Sequence, residues 1–142
     1  MAWIETVDRA AAQGRLAQLY NEVGQRRGKV ANIMRVHSLM PETMKAHADF
    51  YMSVVFSASG LSREERELLA VVVSAANRCD YCVEHHAEAL NHYWQDPDRL
   101  EKLKSDYRTA GLSKRSLAMA TYGNKLARTP AEISERDVAD LR

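Results

Sequence analysis

The sequence predicts an all-α fold on three observations. Gly is 6 and Pro 3 in 142 residues, so chain breakers are sparse. Ala, Leu, Glu, Arg and Met recur, aromatic residues are only 7%, and runs of alternating β-branched residues are absent. Apolar residues also repeat at helical spacing between recognisable start and stop signals.

The first helix is expected over about Asp8 to Arg27, with Asp8 capping its entry, Leu16, Leu19, Tyr20 and Val23 on one side, and Gly28 closing it. A short apolar turn follows around Ile33, Met34 and Val36. Pro41 then suits the first residue of a helix carrying Met44, His47, Ala48, Tyr51, Met52 and Val55 on one face, ended by Ser59 and Gly60. Ser62-Arg63-Glu64-Glu65 reads as a capping box, since the Ser62 hydroxyl can accept from the Glu65 amide while the Glu65 carboxylate reaches back. The continuation from Leu68 to Ala76 is apolar on nearly every side, which predicts a helix surrounded by others. Asn77 and Arg78 interrupt it, and a new helix is expected from near Cys79 to about Trp94. Pro97 and Asp98 open a shorter amphipathic helix with Leu100 and Leu103. Gly111 punctuates the chain before Ser113 caps a helix holding Leu117, Ala118, Tyr122 and Leu126, which ends at Thr129-Pro130. Ile133, the Ser134 cap and the acids after it announce a last helix only a few residues from Arg142.

The length suits one domain, 1–142, able to bury a core without staples. Hydrophobic residues at 46% and charged residues at 27% exclude wholesale disorder and low-complexity classes. Lys+Arg 20 nearly cancels Asp+Glu 19, and the one compact basic cluster is Arg26, Arg27 and Lys29, so nucleic acid is not an expected partner. That cluster is most simply a helix C-terminus with favourable dipole charges and a glycine stop. No apolar stretch is long enough to span a bilayer and the start lacks a signal-peptide pattern, so no membrane association and a cytoplasmic location are expected. In a reducing compartment a cysteine pair points to catalysis or metal binding before structure.

That pair is Cys79 and Cys82, with His86 four residues further on, all on one face of the expected helix. The spacing brings the sulfurs within disulfide range at a helix start, where unpaired amides and the positive dipole end favour thiolate. His86, one turn along, can take a proton from Cys82 and return one to a leaving group. Two other readings use the same residues. A structural disulfide closing so short a loop would constrain the unfolded chain little. Zinc could take both thiolates and the imidazole, with Glu67, His85 or water as fourth ligand, although structural zinc sites usually draw ligand pairs from two segments and no second pair stands here.

Glu67, twelve positions before Cys79, together with Cys79-x-x-Cys82-x-x-x-His86, resembles the active-site signature of the alkylhydroperoxidase D and carboxymuconolactone decarboxylase-like superfamily. The stretches from Arg27 to Ile33, Leu61 to Glu67 and Tyr81 to His86 resemble its peroxidase-related branch, so the similarity spans most of the chain. The resemblance implies a helical domain of alkylhydroperoxidase D-like type with the CxxC at the start of a central helix. It also implies a hydroperoxide substrate, a dithiol reductant such as a lipoyl protein or a thioredoxin-like protein, a homo-oligomer, and neither cofactor nor metal. Carried over, Cys82 is the attacking thiolate, Cys79 the resolving one, and His86 with Glu67 the proton relay; the reverse assignment of the cysteines stays open, since Cys79 lies nearer the helix start. Lactone decarboxylation, which needs no redox-active thiol pair, and a non-catalytic CxxC redox or zinc module are the alternatives.

Two departures from the branch stand out. Some members have histidine immediately before the second cysteine, where this chain has Tyr81, so that residue's part in the relay is missing or taken by the phenol. The branch also generally continues beyond the position of Arg142 with apolar helix. A naturally short chain or a truncated one would both leave core surface for a neighbouring subunit to cover, or a destabilised fold. Elsewhere His85 points about 100° from His86 on the helix and is left out of the site. His37, His47 and His92 read as scattered ordinary histidines, with His47 and Tyr51 lining a pocket only if their helix packs over Cys82. The methionines and Trp94 read as packing.

Overall fold

The computed structural model describes residues 2–28 and 30–142, without the side chains of Arg26 and Arg27. The expected basic cluster of Arg26, Arg27 and Lys29 therefore lies outside the described side chains. Among the described residues there are eight α-helices and no strand. Contacts divide the chain into two compact units, Met1–Ala58 and Ser59–Arg142.

The first unit holds α1 (Gly14–Arg27), α2 (Asn32–Arg35) and α3 (Pro41–Phe56). Leu16, Leu19, Tyr20 and Val23 form the buried face expected of α1 and meet Met34, Met44 and Ala48. Gly28 ends α1 at φ +74°, a left-handed backbone that a side chain would strain. The start of α1 differs from expectation. Asp8 opens only a turn, with the Ala11 amide donating to its carbonyl at 3.0 Å, and its carboxylate pairs with the Arg35 guanidinium instead of capping. Nearby, Val7 is held out of the helix from both sides: its amide donates to Ser38 Oγ at 2.8 Å and its carbonyl accepts from the Tyr20 hydroxyl at 2.6 Å. Tertiary contacts thus override the local capping signal. On α3, Met44 and Ala48 are buried while His47, Tyr51, Met52 and Val55 are half-buried, which matches the expected face.

The second unit is built around α4 (Arg63–Ala76), which packs against α5 (Asp80–Trp94), α6 (Pro97–Ser105) and α7 (Lys114–Arg128). No residue of α4 is exposed, as its all-round apolar pattern requires. The capping box is formed: the Glu65 amide donates to Ser62 Oγ at 3.1 Å and the Ser62 amide to Glu65 Oε2 at 2.8 Å. Leu68, Val71 and Val72 meet Ala87, Leu90, Leu100, Leu103 and Ala120 in the core, with Trp94 packed against it. Trp94 also donates from Nε1 to Glu64 Oε1 at 2.6 Å, and the Arg99 guanidinium lies 3.8 Å from its ring centre.

The α7 face differs from expectation. Ala120 and Gly123 are its buried residues, whereas Leu117 and Leu126 are 37% and 45% exposed. A Cβ on Gly123 would lie 3.3 Å from Val73 Cγ2 and 3.5 Å from Leu69 Cδ2, so close approach to α4 selects the small residues as the contact. Leu126, with Leu61, Leu69, Val73, Met119 and Tyr122 among the lining, borders an open apolar groove of about 690 Å³. The last helix, α8 (Glu135–Ala139), begins as expected after Ser134. There the Ser134 hydroxyl donates to Asp137 Oδ2 at 2.7 Å, and the same carboxylate takes the Ser134 amide and Lys125 Nζ, each at 2.8 Å.

Candidate active site

The turn between α4 and α5 decides where the cysteines sit. Arg78 adopts φ +55°; its amide donates to the Ala75 carbonyl and the Cys79 amide to the Ser74 carbonyl, each at 3.0 Å. This is a Schellman arrangement with arginine where glycine is usual. It stops α4 and delivers Cys79 as the N-cap residue of α5, with Cys82 in the first turn. The two are joined as a disulfide with their Cα atoms 5.3 Å apart. The free amides and dipole of that helix end face the pair.

His86 follows one turn later, half-buried, and its Nδ1 lies 2.7 Å from Glu67 Oε2 across the α4–α5 packing. Glu67 is 1% exposed. A buried carboxylate is retained only where charge or hydrogen bonds compensate it. Here Oε2 takes His86, while Oε1 accepts no directed hydrogen bond and lies against the Arg63 guanidinium, one turn earlier on α4. With Nδ1 engaged by a carboxylate, Nε2 is the ring nitrogen left for exchange with a thiol.

The structure thus brings Glu67 to His86, and Cys79 to Cys82 at the head of the same helix. Arg63 was missed by the sequence reading, although its i, i+4 spacing to Glu67 is visible in the chain. Tyr81 is 48% exposed and its ring stacks on His85, with centroids 6.3 Å apart and planes within 5°. His85, left out of the site, stands edge-on to His86 at 5.7 Å. His37 and His47 are not scattered. His37 Nε2 lies 3.0 Å from His47 Nδ1 and its Nδ1 3.2 Å from Thr43 Oγ1, because the turn before Pro41 folds the two segments together. Among the described residues, no group of three or more His, Cys, Asp or Glu side chains is arranged to hold a metal ion, and none of the helices there is long and apolar enough to cross a membrane.

Residues 41–103 match the carboxymuconolactone decarboxylase family model. No curated protein matches the chain significantly. Among solved structures, an uncharacterised peroxidase-related protein from Silicibacter sp. TM1040 is 31% identical with TM-score 0.82, over 96% of this chain and 73% of that one. The alkylhydroperoxidase AhpD core protein from Ralstonia eutropha JMP134, also described as an uncharacterised peroxidase-related protein, is 28% identical with TM-score 0.83, over 98% and 73%. The debrominase Bmp8, at 14% identity and TM-score 0.77 over 99% of this chain and 75% of that one, shares the fold. With an all-α fold and a CxxC pair at a helix start, the chain belongs to the alkylhydroperoxidase D-like and carboxymuconolactone decarboxylase superfamily, in its peroxidase-related branch.

Proposed function

We propose that the chain is a thiol peroxidase that reduces hydroperoxides through a Cys79/Cys82 sulfenic acid and disulfide cycle, served by a His86/Glu67 proton relay. The observation that carries this reading is a bonded cysteine pair at the N-terminus of α5, on the helix whose His86 is held at 2.7 Å by a buried carboxylate. Family membership supports it at the level of the branch.

In the cycle, His86 Nε2 takes the Cys82 proton and the helix end stabilises the thiolate. The sulfur attacks the terminal oxygen of ROOH, so that an S–O bond forms and the O–O bond breaks. The leaving alkoxide takes the proton from His86 and departs as ROH. Cys79 then attacks the sulfenic sulfur and water leaves, which gives the Cys79–Cys82 disulfide seen here. Two electrons from a dithiol, of lipoyl or thioredoxin-like type, reopen it by exchange in a reducing, cytoplasmic setting. A homo-oligomer is part of the same proposal by family analogy.

The test is the intact mass of the reduced protein before and after one equivalent of cumene hydroperoxide, with Cys82→Ser and Cys79→Ser alongside. Loss of two hydrogens in the wild type is expected, with a sulfenic acid trapped only in Cys79→Ser. Trapping only in Cys82→Ser would reverse the cysteine roles, and an unchanged wild-type mass would sink the cycle. Lactone decarboxylation that survives replacement of both cysteines by alanine would favour the lyase alternative.

A further inference from the structure

We infer that Arg63 is a positioning residue of this site: it stands against Glu67 so that, within the proposed His86/Glu67 relay, the carboxylate serves as the anchor of His86 and the proton taken from the thiol stops at His86. Its kinetic consequence rests on the peroxidase reading; the state of His86 rests on the geometry alone.

Three observations converge. Glu67 is buried, yet one of its two oxygens accepts no directed hydrogen bond and has the Arg63 guanidinium against it. The Arg63 side chain is itself only 24% exposed, so the ion pair is partly shielded from water. Arg63 is also the first residue of α4, where the positive end of the helix dipole disfavours a cation. The helix dipole therefore does not favour an arginine there, and the carboxylate one turn on supplies the opposing charge.

A guanidinium keeps its charge at every pH a protein meets. Moving a proton from imidazolium to Glu67 would leave a neutral acid beside a permanent, partly buried cation, which is the costly arrangement. Glu67 ionised next to Nδ1 instead fixes the His86 tautomer, with the proton on Nδ1 and the lone pair on Nε2. One proton then moves in each direction. It leaves the thiol sulfur for Nε2, giving an imidazolium against the Glu67 carboxylate, and it leaves Nε2 for the alkoxide when the O–O bond breaks. Arg63, Glu67 and His86 thus act as cation, anchor and base.

The test compares wild type, Arg63→Gln and Arg63→Lys, reduced and in mildly alkaline buffer. Nitrogen NMR of the His86 ring is read beside the rate of thiol oxidation by cumene hydroperoxide. Wild type and Arg63→Lys are expected to show one tautomer, protonated on Nδ1, and Arg63→Gln a mixture. The Arg63→Gln rate is expected to fall about tenfold, the effect of about 1.4 kcal/mol on the barrier, and Arg63→Lys to restore most of it. Arg63→Gln with the wild-type tautomer and rate would overturn the inference. If Arg63→Gln does not fold, the Glu67 carboxyl carbon signal of the reduced wild type, assigned with Glu67→Gln, decides alone: ionised supports the inference and protonated overturns it. A wild type inert to hydroperoxide would defeat the peroxidase reading, and the ring spectra would still decide the role of Arg63.

Discussion

Glu65 and Glu67 stand two residues apart on α4 and face different tasks, because an α-helix turns their side chains to different surroundings. Glu67 is enclosed with His86 and Arg63. Glu65 closes the capping box and accepts from Arg115 Nε at 2.7 Å, which ties the start of α7 to the start of α4. The Arg115 hydrogen bond first, and the Ser62 amide second, hold the Glu65 carboxyl below its ordinary value of 4.5. A carboxyl lowered on folding adds stability that is fully present above its unfolded value and lost as pH falls through the folded one. Arg115→Gln should therefore lower the melting temperature near neutrality, and the gap to wild type should narrow as pH falls below about 4.5. Thermal melts across that range check it. A gap that stayed constant would mean that Arg115 works through contacts that do not titrate, such as its 3.1 Å hydrogen bond to the Gly60 carbonyl.

At the scale of the element, the α4–α5 turn links the fold to the chemistry. The two carbonyls capped by the Arg78 and Cys79 amides fix the angle at which α5 leaves, and hence which helix end the cysteines occupy. Arginine in a left-handed conformation costs about 1 kcal/mol that glycine would not incur. Arg78→Gly should thus raise stability by about 0.5–1 kcal/mol in urea unfolding, partly offset by the greater freedom of an unfolded glycine, and leave the cysteine geometry in place. A loss of stability would mean that the Arg78 side chain contributes more than its backbone costs.

For the whole molecule, each of the two units carries its own buried cluster. The second unit also leaves the apolar groove bordered by Leu126 and Tyr122 open. The expected effect of Leu126→Gln is within about 0.5 kcal/mol of wild type, as for other exposed positions. Leu103→Ala in the core should cost about 2–5 kcal/mol. Denaturant unfolding of both variants measures the contrast. A Leu126→Gln cost as large as that of Leu103→Ala would show that the groove is covered in solution.

Much of this was legible in the chain because it is local. The capping box at Ser62, the proline start at Pro41, the glycine stop at Gly28 and the closeness of Cys79 to Cys82 are all local in sequence, which connectivity imposes whatever surrounds it. The candidate catalytic residues could be named on that basis and by resemblance. The pairing of His86 with Glu67 came by resemblance alone, and Arg63 was missed although its spacing to Glu67 is visible in the chain. The 2.7 Å contact of Glu67 with His86 spans 19 residues and that of Trp94 with Glu64 spans 30, so each exists only because two helix faces meet at one register. The same holds for α7, where hydrophobicity favoured Leu117 and Leu126 for burial but the Val73 and Leu69 side chains of α4 leave room only for a small residue at Gly123, and Ala120 and Gly123 are the buried ones. Sequence alone determined the helices and the reactive groups on them. Tertiary packing decided which groups share an enclosed site, because burial and charge compensation depend on neighbours that are distant along the chain.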